Sequence, residues 1–420
     1  MKKLYFSNHL SPGGNKNTDG LKAFFDRVKA TRPHVTECPS YDPFPGDERI
    51  RAIRFSSLPY DGKETSVFAY IAFPENADAE NPVPGVVLVH GGGGHAYAEW
   101  AQYWADNGFA AIAFDGFCQV YNGPPHTYDA SLDFWAPDPE AYPPMESFYS
   151  GNVPFERQGY TYFVADIILA NNLLRSDERV KSDQIGVTGI SWGGLASSTV
   201  VCYDDRFAFA APVYGCGFQD VSNTQWGKVF RDDRVTDLWD AKLLLGEVTM
   251  PIHFFNSDRD PFFDAAATTA SACAARNGEM TLLPAFTHGQ IEGSSIPELM
   301  RFAKTQIFRR ERNIRITGIA AEGDSAVLTF SLPDDVKDPE VFLFYKTEDI
   351  EYEEKELKEA WRPQRCETAN GTARIKIPDE ARLFYFCVEG VPDGDDNGQK
   401  LHASSGVYTR GTWEAAEITD

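Results

Sequence analysis

Hydrophobic and polar positions follow two different patterns along this chain. In the first, Arg51-Ala52-Ile53-Arg54-Phe55 alternates with a period of two, and Ser66-Val67-Phe68-Ala69-Tyr70-Ile71-Ala72-Phe73 reads as its partner strand. Gly85-Val86-Val87-Leu88-Val89 is wholly apolar with glycines soon after it, which suits a central parallel strand buried on both faces. A helix-like stretch over 97–107 leads into Phe109-Ala110-Ala111-Ile112-Ala113-Phe114, which ends at Asp115. Strand, helix and strand at this spacing form a βαβ unit. The alternation resumes at Tyr160, where Phe163, Ile167, Ile168 and Leu174 share one helical face. Strands are expected at Gln184-Ile185-Gly186-Val187-Thr188-Gly189, at 207–213 and at 252–256, and a closing helix runs over 297–308 with Pro297 in its first turn.

From about Asn313 the segments become short and alternating, at 314–319, 326–330, 341–345, 373–377 and 383–388, with Asp, Gly, Pro and Glu turns between them. Such a run of short strands fits a small β-sandwich. Residues 1–48 read as an N-terminal arm with a short helix near 21–28 and a Pro-rich stretch. Residues 117–158 break the rhythm with dense Pro, Tyr, Phe and Trp, as in Phe134-Trp135-Ala136-Pro137 and Tyr142-Pro143-Pro144. That segment reads as a cap-like insertion over an active site, or equally as a structural excursion or oligomer contact. The expected organisation is an arm (1–48), an α/β domain with a mostly parallel, doubly wound sheet (49–311), and an all-β accessory domain (312–420).

Composition narrows the partners. The 420 residues carry a formal net charge of -23, which repels nucleic acid and anionic membranes. The seven cysteines are odd in number, widely spaced and without a CxxC pair, so reduced thiols are expected rather than a disulfide framework or zinc site. No apolar stretch follows Met1-Lys2-Lys3, and no run approaches transmembrane length, so a cytoplasmic protein is expected. Strand edges in the tail make a homo-oligomer an open expectation.

The chemistry concentrates in a few places. Gly189-Ile190-Ser191-Trp192-Gly193 follows an apolar strand and precedes Leu195-Ala196-Ser197-Ser198-Thr199, which can start a helix. A nucleophile elbow needs this setting, because a serine in a strained turn requires small residues two before and two after it. The order expected next is an acid and then a histidine. Asp258 and Asp260 both follow the 252–256 strand. Asp260 is the expected acid because it lies further into the loop. His288, in Phe286-Thr287-His288-Gly289, is the base, while His402 falls in the β-rich tail. An oxyanion hole is expected from the backbone amides of Trp192 and Gly92, with Gly93 the second choice in His90-Gly91-Gly92-Gly93-Gly94. The same glycines with Ala96 and Asp115 also match a dinucleotide fingerprint in outline, but that reading leaves Ser191, Asp260 and His288 unexplained. His90 and His95 have no third ligand at metal spacing, so His90 is read as ordering the loop. Neither metal nor cofactor is expected. Trp226 and Trp239 are read as shaping the leaving-group side, or as core.

At these residues the chain resembles the acetyl xylan esterase branch of the dienelactone-hydrolase-like α/β-hydrolases. The resemblance rests on His90–Gly94, Glu99-Trp100, Trp104, the 108–115 string, the 186–194 string and Asp260-Pro261-Phe262-Phe263, and covers roughly 50–310. Where that group has Gly-x-x before the acid, Ser257 stands here. The resemblance implies ester hydrolysis, often deacetylation of carbohydrates. The tail also looks like the β-sandwich appended to some bacterial relatives. Dienelactone hydrolases proper use a cysteine nucleophile, and Ser191 here does not carry that activity over. The expectation is therefore a serine carboxylic-ester hydrolase acting on a small or oligosaccharide ester. The alternatives are a prolyl-oligopeptidase-like amidase or peptidase and, from another class, a non-catalytic carbohydrate-binding protein.

Overall fold

In the computed structural model, the residues described are 16–44, 46–124, 134–141, 148–394, 399–411 and 413. Tyr142-Pro143-Pro144 and the stretch after Met1 lie outside them. Among the described residues the chain divides into two compact units, one over 16–215 with 232–243, the other over 216–231 with the described residues from 244 onward.

The first unit is built on seven strands: β1 (Val35–Glu37), β2 (Ile50–Ser56), β3 (Ser66–Ala72), β4 (Val83–Val89), β5 (Ala110–Phe114), the long strand Val180–Ile190 and the strand Phe209–Val213. They are ordered β1, β2, β3, β5, β4, 180–190, 209–213. The first three pairings are antiparallel and the last three parallel. Of the parallel strands, β4, β5 and Phe209–Val213 are apolar throughout and 180–190 is apolar only from Ile185 apart from Thr188; β5 is buried at every residue, because helices can cover both faces of a parallel sheet. Helices α2 (Ala98–Asp106), α3 (Gly159–Ser176) and α4 (Trp192–Val200) pack on the sheet, and α1 (Lys16–Lys29) packs on α3. Helix α3 is buried around its whole circumference from Gly159 to Leu174. The side-chain amide of Asn172 on α3 donates to the carbonyls of Val28 and Thr31 at 3.0 and 2.7 Å, which ties the end of α1 down. A two-strand hairpin, Gln119–Tyr121 with Trp135–Pro137, lies within the Pro- and Tyr-rich insertion.

In the second unit the strands Ile252–Ser257 and Gly278–Leu283 pair in parallel, with the helix Ala265–Ala274 between them. The helix Pro297–Phe308 follows, with the bounds its Pro start predicts. Beyond it are two antiparallel sheets. One contains Arg315–Glu322, Ser325–Ser331, Thr368–Ala369 and Thr372–Lys376. The other contains Arg362–Cys366, Val336–Lys346, Leu383–Pro392, Leu401–Ser404 and Tyr408–Thr409. Alternate residues of both sheets, among them Leu328, Ile375, Val341 and Phe386, meet in one apolar cluster, the arrangement of a β-sandwich. A second cluster joins sandwich residues Phe344, Trp361, Leu383 and Tyr385 to Ala265 and Leu282 of the parallel segment. The helix 265–274 and the strand 278–283 went unread in the sequence, because an Ala/Thr/Ser-rich helix has almost no apolar face to betray it. No described helix is long and apolar enough to cross a membrane.

Candidate active site

In the first unit, Ser191 sits where the strand 180–190 turns into α4, with φ 56° and ψ -114°. This is a sparsely populated conformation for a side chain with a Cβ, costing roughly 1–3 kcal/mol unless the surroundings enforce it. Two backbone bonds do so: the Ser191 N–H donates to Val213 O at 2.9 Å, and the Leu195 N–H donates to Ser191 O at 2.9 Å. The flanking glycines answer to the crowding. A Cβ on Gly193 would lie 2.0 Å from Val89 O, and one on Gly189 would lie 2.2 Å from Gly193 O.

The glycine loop after β4 approaches the same turn. A Cβ on Gly91 would lie 3.2 Å from the Ser191 Cβ, and one on Gly92 would lie 2.3 Å from Trp192 Cδ1. The loop is held by His90, which is almost fully buried. Its Nε2 accepts the Gly116 N–H at 2.9 Å, which leaves Nδ1 as the protonated nitrogen that donates to Gly91 O at 2.7 Å. Burial pushes the His90 pKa down to about 3, so the ring stays neutral. Asp115 Oδ1 accepts the N–H groups of Phe117 and Gln119, and the Gln119 side-chain amide donates to Gly94 O at 3.1 Å. The turn after β5 therefore pins both ends of the glycine loop. Local sequence offered no signal for Gln119.

Rings of Phe148 and Tyr149 pack on Trp192 with centroids 5.3 and 5.2 Å away. Trp239 is only 1% exposed and donates from Nε1 to Gln158 Oε1, which makes it a core residue. Among the described residues no group of three His, Cys, Asp or Glu side chains could hold a metal ion.

In the second unit, Asp260 and His288 meet. Asp260 is buried, and its Oδ1 accepts the N–H groups of Phe262 and Phe263 at 2.9 and 2.8 Å. Its Oδ2 lies 2.5 Å from His288 Nδ1. The short distance and the two backbone donors mark a carboxylate held in one orientation against an imidazole. The Phe262 ring flanks that imidazole, with centroids 4.7 Å apart. Asp258 turns the other way. Its Oδ1 accepts the Ala285 N–H and its Oδ2 the Tyr385 hydroxyl, both at 2.9 Å. Its backbone oxygen accepts Trp361 Nε1–H at 2.7 Å. Of the two acids left open by position, Asp260 is thus the one bonded to the histidine. His402 is engaged elsewhere, with Glu298 at 2.9 Å.

The parallel sheet with a strained serine at a strand end, and the carboxylate–imidazole pair after a later parallel strand, define an α/β-hydrolase. The model of the dienelactone hydrolase family matches residues 67–289, and the chain belongs to that family. It is a hydrolase. Among solved structures, the acetyl xylan esterase from Paenibacillus sp. R4 superposes with a TM-score of 0.53 at 17% identity, covering 70% of this chain and 95% of that one. Acetyl xylan esterase 1 from Thermoanaerobacterium sp. JW/SL YS485 gives 0.51 at 13% identity, covering 69% and 94%. At these identities the likeness speaks to the fold. No curated protein sequence matches the chain.

Proposed function

We propose that this protein is a serine hydrolase that cleaves carboxylic esters through an acyl-enzyme, with acetylated carbohydrates as its substrate class. His288 takes the proton of Ser191 as its oxygen attacks the ester carbonyl, and Asp260 holds the imidazole and stabilises its cation. The amides of Trp192 and Gly92 receive the oxyanion. His288 then protonates the leaving alcohol, and water, deprotonated by the same imidazole, releases the acid. Residues 49–311 act as the catalytic domain, with 117–158 as its cap, and 312–420 as the accessory domain. The partner is a small or oligosaccharide ester in the cytoplasm, rather than nucleic acid or membrane.

The observation that carries this reading is the 2.5 Å approach of Asp260 Oδ2 to His288 Nδ1, because a histidine oriented at Nδ1 presents Nε2 as a base. The positive φ of Ser191 supports the nucleophile's part. Membership of a hydrolase family supports the reaction class, and the names of the two esterases of like fold support acetyl groups on xylan-type sugars. The test is labelling by a fluorophosphonate and hydrolysis of p-nitrophenyl acetate beside Ser191→Ala. Acetylated xylo-oligosaccharides and aminoacyl amides then separate esterase from amidase. Labelling and turnover that vanish with Ser191 are expected. Equal behaviour of the two proteins refutes the reading.

A further inference from the structure

We infer that the C-terminal strands position the acid–histidine pair, with Tyr385 and Trp361 as positioning residues that act through Asp258. This rests on the serine-hydrolase reading of Asp260 and His288.

The 258–263 loop has two ends to fix. The inner end, at Asp260, is bonded to its own following amides and to His288. The outer end, at Asp258, is bonded to the sandwich by a side-chain and a main-chain link: Tyr385 Oη–H to Oδ2 at 2.9 Å and Trp361 Nε1–H to the backbone oxygen at 2.7 Å. Asp258 Oδ1 also accepts the N–H of Ala285, a residue in the loop leading to His288 and itself at φ 54°. One buried carboxylate thereby joins the acid loop, the histidine loop and the sandwich.

The sandwich side of this joint is buried and closely packed. Tyr385 is fully buried, stacked on Phe344 with centroids 5.0 Å apart and 7° between planes, and Trp361 meets it edge-on at 5.0 Å. The ammonium of Lys346, whose side chain has no exposed surface, lies 5.7 Å from the Trp361 ring centroid. The parallel segment is fastened to the same strands nearby, as the Leu282 N–H donates to Ser404 Oγ at 2.7 Å and the Val407 N–H to Thr269 Oγ1 at 3.0 Å. A shift at Asp258 is transmitted within two residues to Asp260, and small displacements of a general base are costly in rate.

The experiment compares full-length Tyr385→Phe, Trp361→Phe and Tyr408→Phe. Tyr408 belongs to the other sandwich cluster and serves as the control for lost stability. The readouts are steady-state hydrolysis of p-nitrophenyl acetate across pH and the low-field proton resonance of the Asp260–His288 bond. With Tyr385→Phe, kcat is expected to fall about tenfold with KM within about twofold. The acid limb of kcat/KM should move to lower pH, because a looser carboxylate favours the imidazolium less, and the resonance should shift upfield. Trp361→Phe should move the same readouts in the same direction, and carries the test if Tyr385→Phe does not fold. Tyr408→Phe should leave them at wild type. Wild-type kcat, acid limb and resonance in both Tyr385→Phe and Trp361→Phe overturn the inference, as does Tyr408→Phe reproducing their changes. Failure of the underlying reading looks different: the wild-type protein would not react with a fluorophosphonate, while the resonance would still report on the joint.

Discussion

The arm carrying Ser191 and the arm carrying Asp260 and His288 solve the same problem by different means. Ser191 is set by backbone: a strained φ, amide bonds to Val213 and from Leu195, and glycines whose missing Cβ atoms let chains pass at about van der Waals distance. Asp260 and His288 are set largely by side chains: Asp260 bonds His288 and its own following amides, and two residues before it stands a buried aspartate whose partners lie 103 and 127 residues further along. A serine turn built from backbone tolerates few substitutions and is held by neighbouring strands of its own sheet. An acid arm built from side chains tolerates more, but depends on a region that contributes no reacting atom.

The largest effect that could break this comparison is at the nucleophile. Ser191→Ala should lower kcat by about a million-fold, by analogy with triad serines elsewhere, and abolish fluorophosphonate labelling without altering the circular dichroism spectrum. Next comes the acid. Asp260→Asn should reduce kcat about ten-thousand-fold by losing the orienting carboxylate, whereas Asp258→Asn should cost far less. A larger loss at Asp258 would reverse their roles.

Stability sharpens the contrast further. Gly193→Ala drives a methyl into the Val89 carbonyl, a backbone atom that cannot turn aside, and should cost about 3 kcal/mol in urea unfolding. Gly289→Ala, in the acid arm, meets only the Glu292 carboxylate tip and should cost much less. Equal losses would erase the distinction between backbone-built and side-chain-built arms.

The smallest effect is pH-dependent. Asp166 on α3 is buried, accepts the Ser57 hydroxyl on Oδ1, and has a buried Oδ2 with no hydrogen-bond partner among the described residues. Burial, with Asp115 nearby, raises its pKa to about 8. The folded state therefore keeps a proton that the unfolded chain releases near pH 4, so this site loses native stability as pH rises from about 4 to about 8. Asp166→Asn should raise the urea midpoint at pH 8, with the gain vanishing by pH 4. A gain that persists at pH 4 would mean that the carboxylate is not held protonated. Asp258, bonded on both oxygens and also raised by burial, should gain less from the same change.

Much of the serine arm was legible because it is local. The strand 180–190, the serine and the small residues around it all fall within 180–193, and the apolar run of β4 carries its parallel burial openly. Asp260 was distinguishable from Asp258 only by loop position and resemblance, since nothing local says which carboxylate faces a histidine 28 residues on. Gln119, Tyr385 and Trp361 had no signal, because their partners are backbone oxygens or a carboxylate brought near by folding.

The sequence by itself determined the kinds of element, the serine turn and the residue types available for acid and base, since periodicity, glycine spacing and side-chain chemistry are properties of short stretches. Tertiary structure decided between Asp260 and Asp258 as the partner of His288, made His90, already read as ordering the glycine loop, a buried neutral clamp, and bonded Asp258 to the sandwich. Each of those outcomes depends on burial and on partners distant in the chain, and a hydrogen bond has no sequence signature until the two groups are desolvated side by side.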